Sequence, residues 1–288
     1  MKENARLRPQ GGLIQRLVLA PYSVWAALFI AVPLLFVAYY AFTDDNFNFT
    51  AANVTRFFTE KSMTESGEVR TYLLIFGRSL KLALISTVIC LLLGYPFALL
   101  VSRANVRTQS ILITLIMIPM WMNFLIRTYA WMTILNDTGL LNGLLDKLHL
   151  GQVHIIGTES AIVIGMVYDY FPYMILPIYS VMAKMDVKLI EAAKDLGCGN
   201  FGVLRRVIWP LSLPGVISGV IMVLIPSIST FYISKLLGNG LYPMIGDVIE
   251  SQYRGDRHFA SALAFVLMII LLVSMALMQR FANRKAAA

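Results

Sequence analysis

Hydrophobic positions in this chain come in long unbroken blocks, not at the two-residue or 3.6-residue spacing of half-buried strands and helices. Five blocks carry no charge: Leu17 to Thr43, Leu82 to Ser102, Thr108 to Ile126, Val207 to Ser234 and Phe259 to Gln279. A sixth, Ser160 to Ala183, is interrupted only by Asp169. A hydrocarbon core of about 30 Å takes about 20 helical residues to cross, so each block is long enough. Helices close their own backbone hydrogen bonds in lipid, and the short alternating segments of an outer-membrane barrel are missing. The pattern predicts an all-α, polytopic membrane protein with one domain over 1–288. Its six transmembrane helices fall at about 18–43, 79–102, 109–131, 160–183, 208–233 and 259–279.

Composition agrees: 58% of the 288 residues are hydrophobic and 14% are charged, where a soluble domain carries about a quarter charged. The charges set an orientation. With the N-terminus inside, the cytoplasmic segments hold Lys2, Arg6, Arg8 and Arg16, then Arg103 and Arg107, then Lys184, Lys188, Lys194, Arg205 and Arg206, and finally Arg280, Arg284 and Lys285. Only Glu3, Asp186, Glu191 and Asp195 oppose them. Both termini are therefore expected in the cytoplasm of a multi-pass protein of a bacterial inner membrane. The formal charge of +8 is a topology signal, and no basic and aromatic tract of a nucleic-acid binder accompanies it.

The first block is too long for a signal peptide, and "YYAFTDDNF" offers no small-residue cleavage site. Cys90 lies in the second span and Cys198 in a cytoplasmic loop, so neither a disulfide nor a metal site is expected of them. A phosphate loop, H-E-x-x-H and G-x-S-x-G are all missing. Neither a catalytic site nor a cofactor is expected.

One cytoplasmic stretch, "EAAKDLGCGNFGVLRRVIWP" (Glu191 to Pro210), interrupts the apolar blocks. Asp186 is placed to cap a first short helix, and Gly197 falls where a left-handed C-cap belongs. Asn200 is placed to cap a second helix, "FGVLRRVI", which Pro210 is expected to end. Leu189, Ala192, Ala193, Leu196, Val203, Leu204 and Val207 give the pair an apolar face. By physical chemistry alone, the pair suits either an anionic lipid surface or a groove on a partner.

The spacing of Glu191, Ala192, Ala193, Gly197 and Pro210 resembles the cytoplasmic EAA loop of ABC importer permeases. The stretches "LGYPFALLVSR", "IPMWMNFLIRTYAWMTIL", "VYDYFPYMILPIYSVM" and "GDVIESQY" resemble the permeases of spermidine and putrescine importers. The resemblance implies a MetI-like permease fold with a coupling loop at 184–210 that docks on a separate ATPase subunit, expected in two copies. It also implies a second homologous permease, an extracellular or periplasmic polyamine-binding protein, and alternating access driven by ATP. This chain itself is then not an enzyme.

Asp169 is the one acid inside a span, about 14 Å from the outer end of its helix at 1.5 Å per residue. A lone carboxylate there costs about 2.5 kcal/mol or more, so it is expected to face a polar cavity or a partner. Pro172 frees the carbonyl of Tyr168, and Tyr173 lies one turn from Asp169; a multiple cation suits carboxylates and aromatic faces. The alternative is a structural pair with Arg127. Trp121 and Asn123 after Pro119, and Ser229 after Pro226, mark two helices expected to open locally and touch the pathway. A competing function is an ion-gradient transporter of organic cations with Asp169 as its ion site.

Overall fold

The computed structural model of the chain describes residues 13–64 and 67–286. Lys2, Arg6 and Arg8, which contribute to the expected charge bias, lie outside the described residues.

The first apolar block forms α1 (Leu13–Ala26) and α2 (Val32–Ala41), joined without a break by a π-helical turn at Ala27–Ala31. The first outer loop folds into α3 (Ala52–Thr59) and a small hairpin, β1 (Lys61–Thr64) and β2 (Gly67–Arg70), in an otherwise helical chain. Then come α4 (Thr71–Arg103), α5 (Val106–Trp121), α6 (Phe124–Leu135), α7 (Leu140–Lys147) and α8 (Glu159–Met182). The cytoplasmic stretch forms α9 (Val187–Asp195) and α10 (Asn200–Val203), and a second π-turn at Leu204–Ile208 leads into α11 (Trp209–Ser229). The outer elements α12 (Tyr232–Leu237) and α13 (Ile245–Gly255) precede the last helix, α14 (Arg257–Ala286).

Among the described residues, five helical stretches are long and apolar enough to cross a membrane: Ala20–Ala41, Thr71–Arg103, Glu159–Met182, Asn200–Ser229 and Arg257–Arg280. A sixth apolar region is the pair Val106–Trp121 and Phe124–Lys147, bent by 94° between them, with the form of a broken span or a re-entrant loop. Pro119 supplies no N–H to Leu115, and the side chain of Asn123 starts the next helix by accepting the Leu125 N–H at 2.9 Å. Chemistry local to Pro119–Leu125 thus replaces one straight helix by two.

Helix α8 is the centre of the bundle. Ile162, Met166, Met174, Ile175 and Ile178 on it are fully buried among Leu82, Cys90 and Ala98 of α4, Val216 and Val223 of α11, and Ile233 and Leu237 of α12. A second core joins Phe57 of α3 to Tyr72, Ile75 and Ala83 of α4, Ile245 and Val248 of α13 and Phe259 and Leu263 of α14. The α2 helix leaves most of its large side chains exposed, including Leu34, Leu35, Phe36 and Tyr39, as a lipid-facing or partner-facing span does.

The cytoplasmic stretch differs from its expected form in three ways. Asn200 is the first residue of α10, and the cap position belongs to Gly199, with no side-chain bond. Pro210 does not end a helix, because the chain runs helically from Asn200 to Ser229. The π-turn explains this: Trp209 N–H reaches back to the carbonyl of Leu204, five residues away, and the widened turn accepts a proline that has no donor and would crowd an α-helical carbonyl. The same arrangement precedes Pro33, where Val32 N–H bonds the carbonyl of Ala27. Third, Ile190, Val203 and Ile208 face the bundle, whereas Leu189 and Leu196 point away from it.

Candidate functional site

Two breaks shape the outer half of the molecule. The α5–α6 break falls at Met122 and Asn123; the α11–α12 break falls at Thr230, which is extended, and Phe231. Pro226 explains the second, since α11 ends three residues beyond it. Helices α6 and α12 then pack against each other and against α8, with the Phe124 and Tyr232 rings edge to face at 6.4 Å.

Asp169 lies among these elements. Its Oδ1 is 3.4 Å from Arg127 Nη2, and the two side chains are 3% and 9% exposed. The contact is an ion pair without hydrogen-bond geometry, since Asp169 Oδ1, Arg127 Nε and Arg127 Nη1 are buried without a hydrogen-bond partner. The Arg127 guanidinium also lies 5.9 Å from the centre of the Phe124 ring. A buried pair of this kind holds position because removing either charge strands the other. Of the two alternatives left by the sequence, the geometry shows the pair with Arg127.

The other candidates scatter. Tyr168 is half-buried against Trp131, with ring centroids 5.2 Å apart. It borders a cavity of about 420 Å3 that Ile89, Leu93, Ile116, Val163 and Phe171 also line. That cavity is almost wholly apolar, so it suits an acyl chain and not a cation. Tyr173, Trp121 and Asn123 are exposed. Ser229 is exposed too, and its hydroxyl donates back to the carbonyls of Ile225 and Pro226 at 3.3 and 3.4 Å.

Ser229 borders a groove of about 570 Å3 that sequence reasoning missed, lined by Phe231, Ile249, Glu250, Tyr253, Arg254 and Leu267. Helix α13 is fixed beside it. Its Ile245 N–H donates to buried Ser79 Oγ at 2.8 Å. Gly246 packs so closely on the second break that an added Cβ would meet the carbonyl oxygens of Ser229 and Thr230 at 2.5 and 2.7 Å. Asp247 Oδ2 accepts from Met244 N–H at 2.7 Å and from Ser234 Oγ at 2.6 Å, while its Oδ1 is buried and unpartnered. Burial holds the Asp247 carboxyl above the usual range, against the pull of those hydrogen bonds. Glu250 pairs with Arg254 and, at 3.3 Å, with Lys235; the hydrogen bond from Arg254, then that from Lys235, holds its carboxyl below the usual range. The signal in the sequence was Asp247 and Glu250 three residues apart on one face of an amphipathic helix just beyond a proline-broken span.

On the opposite side of the bundle, Asp186 caps α9 by accepting Lys188 N–H at 3.0 Å. Gly197 has φ +83°, a left-handed conformation that glycine adopts without strain, and Cys198 N–H closes the turn on the carbonyl of Ala193. Glu191, Ala192, Gly197 and Pro210 are exposed and Ala193 is half-buried against the core. Leu196 and Phe201 are 86% and 74% exposed, and Val187 and Leu189 are exposed beside them. Four large exposed apolar side chains on one short stretch call for cover by a partner surface or a bilayer.

Comparison with known proteins places the chain. Residues 91–287 match the family model of binding-protein-dependent transport system inner membrane components. A spermidine/putrescine transport system permease protein, PotB, of Haemophilus influenzae is 36% identical over 284 residues, covering 94% of this chain and 96% of that one. Its counterpart from Escherichia coli is 36% identical over 254 residues, covering 86% and 90%. In fold, the chain is similar to a chain of a bacterial ABC transporter that imports alginate. The TM-score is 0.77 at 15% identity, with 94% and 95% of the two chains covered.

Proposed function

This chain belongs to the family of binding-protein-dependent transport system inner membrane components, and from that premise we propose that it is one of two permease subunits of an ATP-driven polyamine importer. It is a membrane component, not an enzyme, and hydrolysis of ATP falls to a partner subunit. The observation that carries the reading is the exposed face of α9 and α10. Val187, Leu189, Leu196 and Phe201 lie next to Glu191 and Gly197 in a loop whose spacing is that of a coupling loop, and nothing among the described residues covers them. Closure of two ATPase subunits on this loop moves α11, with which α10 is helically continuous, and turns the pathway toward the external binding protein.

Polyamine cargo is supported by the relatives named above and by the chemistry of the outer groove, which Glu250 lines together with Phe231 and Tyr253. Tyr173, Ser229, Trp121 and Asn123 are exposed, the last three at or beside the two breaks, and are assigned to the pathway. Tyr168 supports the pathway through Trp131. Asp169 acts from behind it, holding α6 on α8 through Arg127. Both termini and the 184–210 loop are assigned to the cytoplasm. An ion-gradient transporter has no comparable support, because its ion site would be the carboxylate that Arg127 neutralises.

The test is uptake of labelled spermidine and putrescine into liposomes holding the chain with its companion permease, ATPase and binding protein. Uptake is expected to require ATP and all four components. Uptake driven by a proton or sodium gradient through the isolated chain would overturn the reading.

A further inference from the structure

The Glu250 carboxylate of α13 already holds an alkylammonium ion, and that ion belongs to the protein. The Lys235 side chain is a butylammonium tethered to α12, and its Nζ lies 3.3 Å from Glu250 Oε2. Lys235 lines a pocket of about 220 Å3 together with Ser234, Asp247, Glu250 and Ser251. On the other side of Glu250 lies the larger groove with Phe231 and Tyr253. The same carboxylate therefore borders two cavities, one of them lined by an alkyl chain whose ammonium pairs with it.

The holders and the guest differ in freedom. Glu250 is 25% exposed, while Lys235 and Arg254 are 54% and 76% exposed, so the carboxylate is fixed and its two cations reach in from water. Exposed pairs of this kind are worth about 1 kcal/mol or less, because two long side chains must be immobilised. A free alkylammonium gives up translational and rotational freedom that the tethered Lys235 does not, and it offsets that cost by laying its methylenes on the Phe231 and Tyr253 rings. Asp247, one turn before Glu250 on α13, lines the smaller pocket, and its Oδ1 has no hydrogen-bond partner.

We infer that the groove around Glu250 is an outer receiving site for one alkylammonium end of the cargo, and that Lys235 is a built-in stand-in that occupies Glu250 when cargo is absent. The assignment of the guest as cargo rests on the polyamine reading above; the affinity of the site for an alkylammonium does not. A tethered competitor raises the cargo concentration needed to fill the site. It also favours guests carrying more than one ammonium, since a second charge is free to interact once the first has displaced Lys235.

Two measurements decide it. In the detergent-purified complex, n-butylammonium is expected to raise the melting temperature of Lys235→Ala well beyond its effect on wild type. That gain should vanish in Lys235→Ala/Glu250→Gln, with sodium chloride at equal ionic strength as the control. In reconstituted vesicles, Glu250→Gln is expected to raise the KM for spermidine about tenfold, the loss of one charge-assisted hydrogen bond, while Lys235→Ala lowers it and leaves kcat in place. A butylammonium effect equal in wild type, Lys235→Ala and the double variant overturns the inference, as does an unchanged KM in Glu250→Gln. If wild type imports no polyamine, the cargo reading falls and the melting experiment alone decides whether the site binds alkylammonium.

Discussion

Arg127 and Asp169 meet at 3.4 Å from two different membrane elements, the first turn of α6 beyond its break and the middle of α8. Their contact fixes where the bent third span resumes. Asp169→Asn leaves the Arg127 charge buried and unmatched, which costs about 3–5 kcal/mol for a pair of this burial. The expected outcome is a lower yield and melting temperature of the complex, with both largely recovered in Asp169→Asn/Arg127→Gln. If the single variant is as stable as wild type and only uptake is lost, the carboxylate serves cargo directly and the positioning role is wrong.

The cytoplasmic turn gives a second expectation. Gly197→Pro forces φ to about −65° where the chain has +83°, so the closure between α9 and α10 should fail while the spans stay folded. Glu191→Lys adds a cation to a face that already carries Lys188 and Lys194. Both variants should insert in the membrane at wild-type levels, lose stimulation of the ATPase, and co-purify less of it. Unchanged co-purification and unchanged uptake in both would assign the exposed apolar patch to lipid.

Phe201→Asp tests the same patch from another side. Phe201 is exposed and contributes nothing to the core, so the substitution should leave melting of the chain within about 0.5 kcal/mol of wild type, as surface changes do. ATPase binding, measured by pull-down, should drop sharply. A fall in melting temperature with binding intact would show that the side chain packs within the chain.

Asp247 gives a pH signature. Burial raises its folded pKa above the ordinary 3.8, so folding favours the protonated form. That stabilisation is fully present below the unfolded value and is lost as pH rises through the folded value. Asp247→Asn does not titrate, so it should melt above wild type at neutral pH, and the gap should close as the pH is lowered toward the ordinary carboxylate range. A gap independent of pH would mean that Asp247 is solvated as an ordinary surface acid.

Much of the fold was legible because the bilayer imposes a length on apolar blocks, and all six regions were found from that length alone. What the pattern did not reveal was depth and direction. Pro119 and Asn123 were visible as opening signals, yet the 94° bend depends on α6 finding α12 and Arg127 finding Asp169 across the bundle. In the cytoplasmic stretch, apolar positions predicted a face but not which way it points. Ile190, unassigned by spacing, turned inward, while Leu196, assigned to the apolar face, points away from the bundle. The Glu250 groove escaped notice because its walls come from the end of α11, the break after it, α13 and α14, which no local window contains.

The π-turn at Leu204–Ile208 has a consequence for geometry. Each residue of an α-helix advances the azimuth by about 100°, and a π-turn holds one residue more than the α-turn it replaces. The compass bearing at which Leu196 and Phe201 leave the bundle is therefore set by a residue count, independently of which side chains occupy the turn. Removing one residue from Arg205–Val207 would leave α11 in place and swing the patch a quarter-turn or more away from whatever surface meets it.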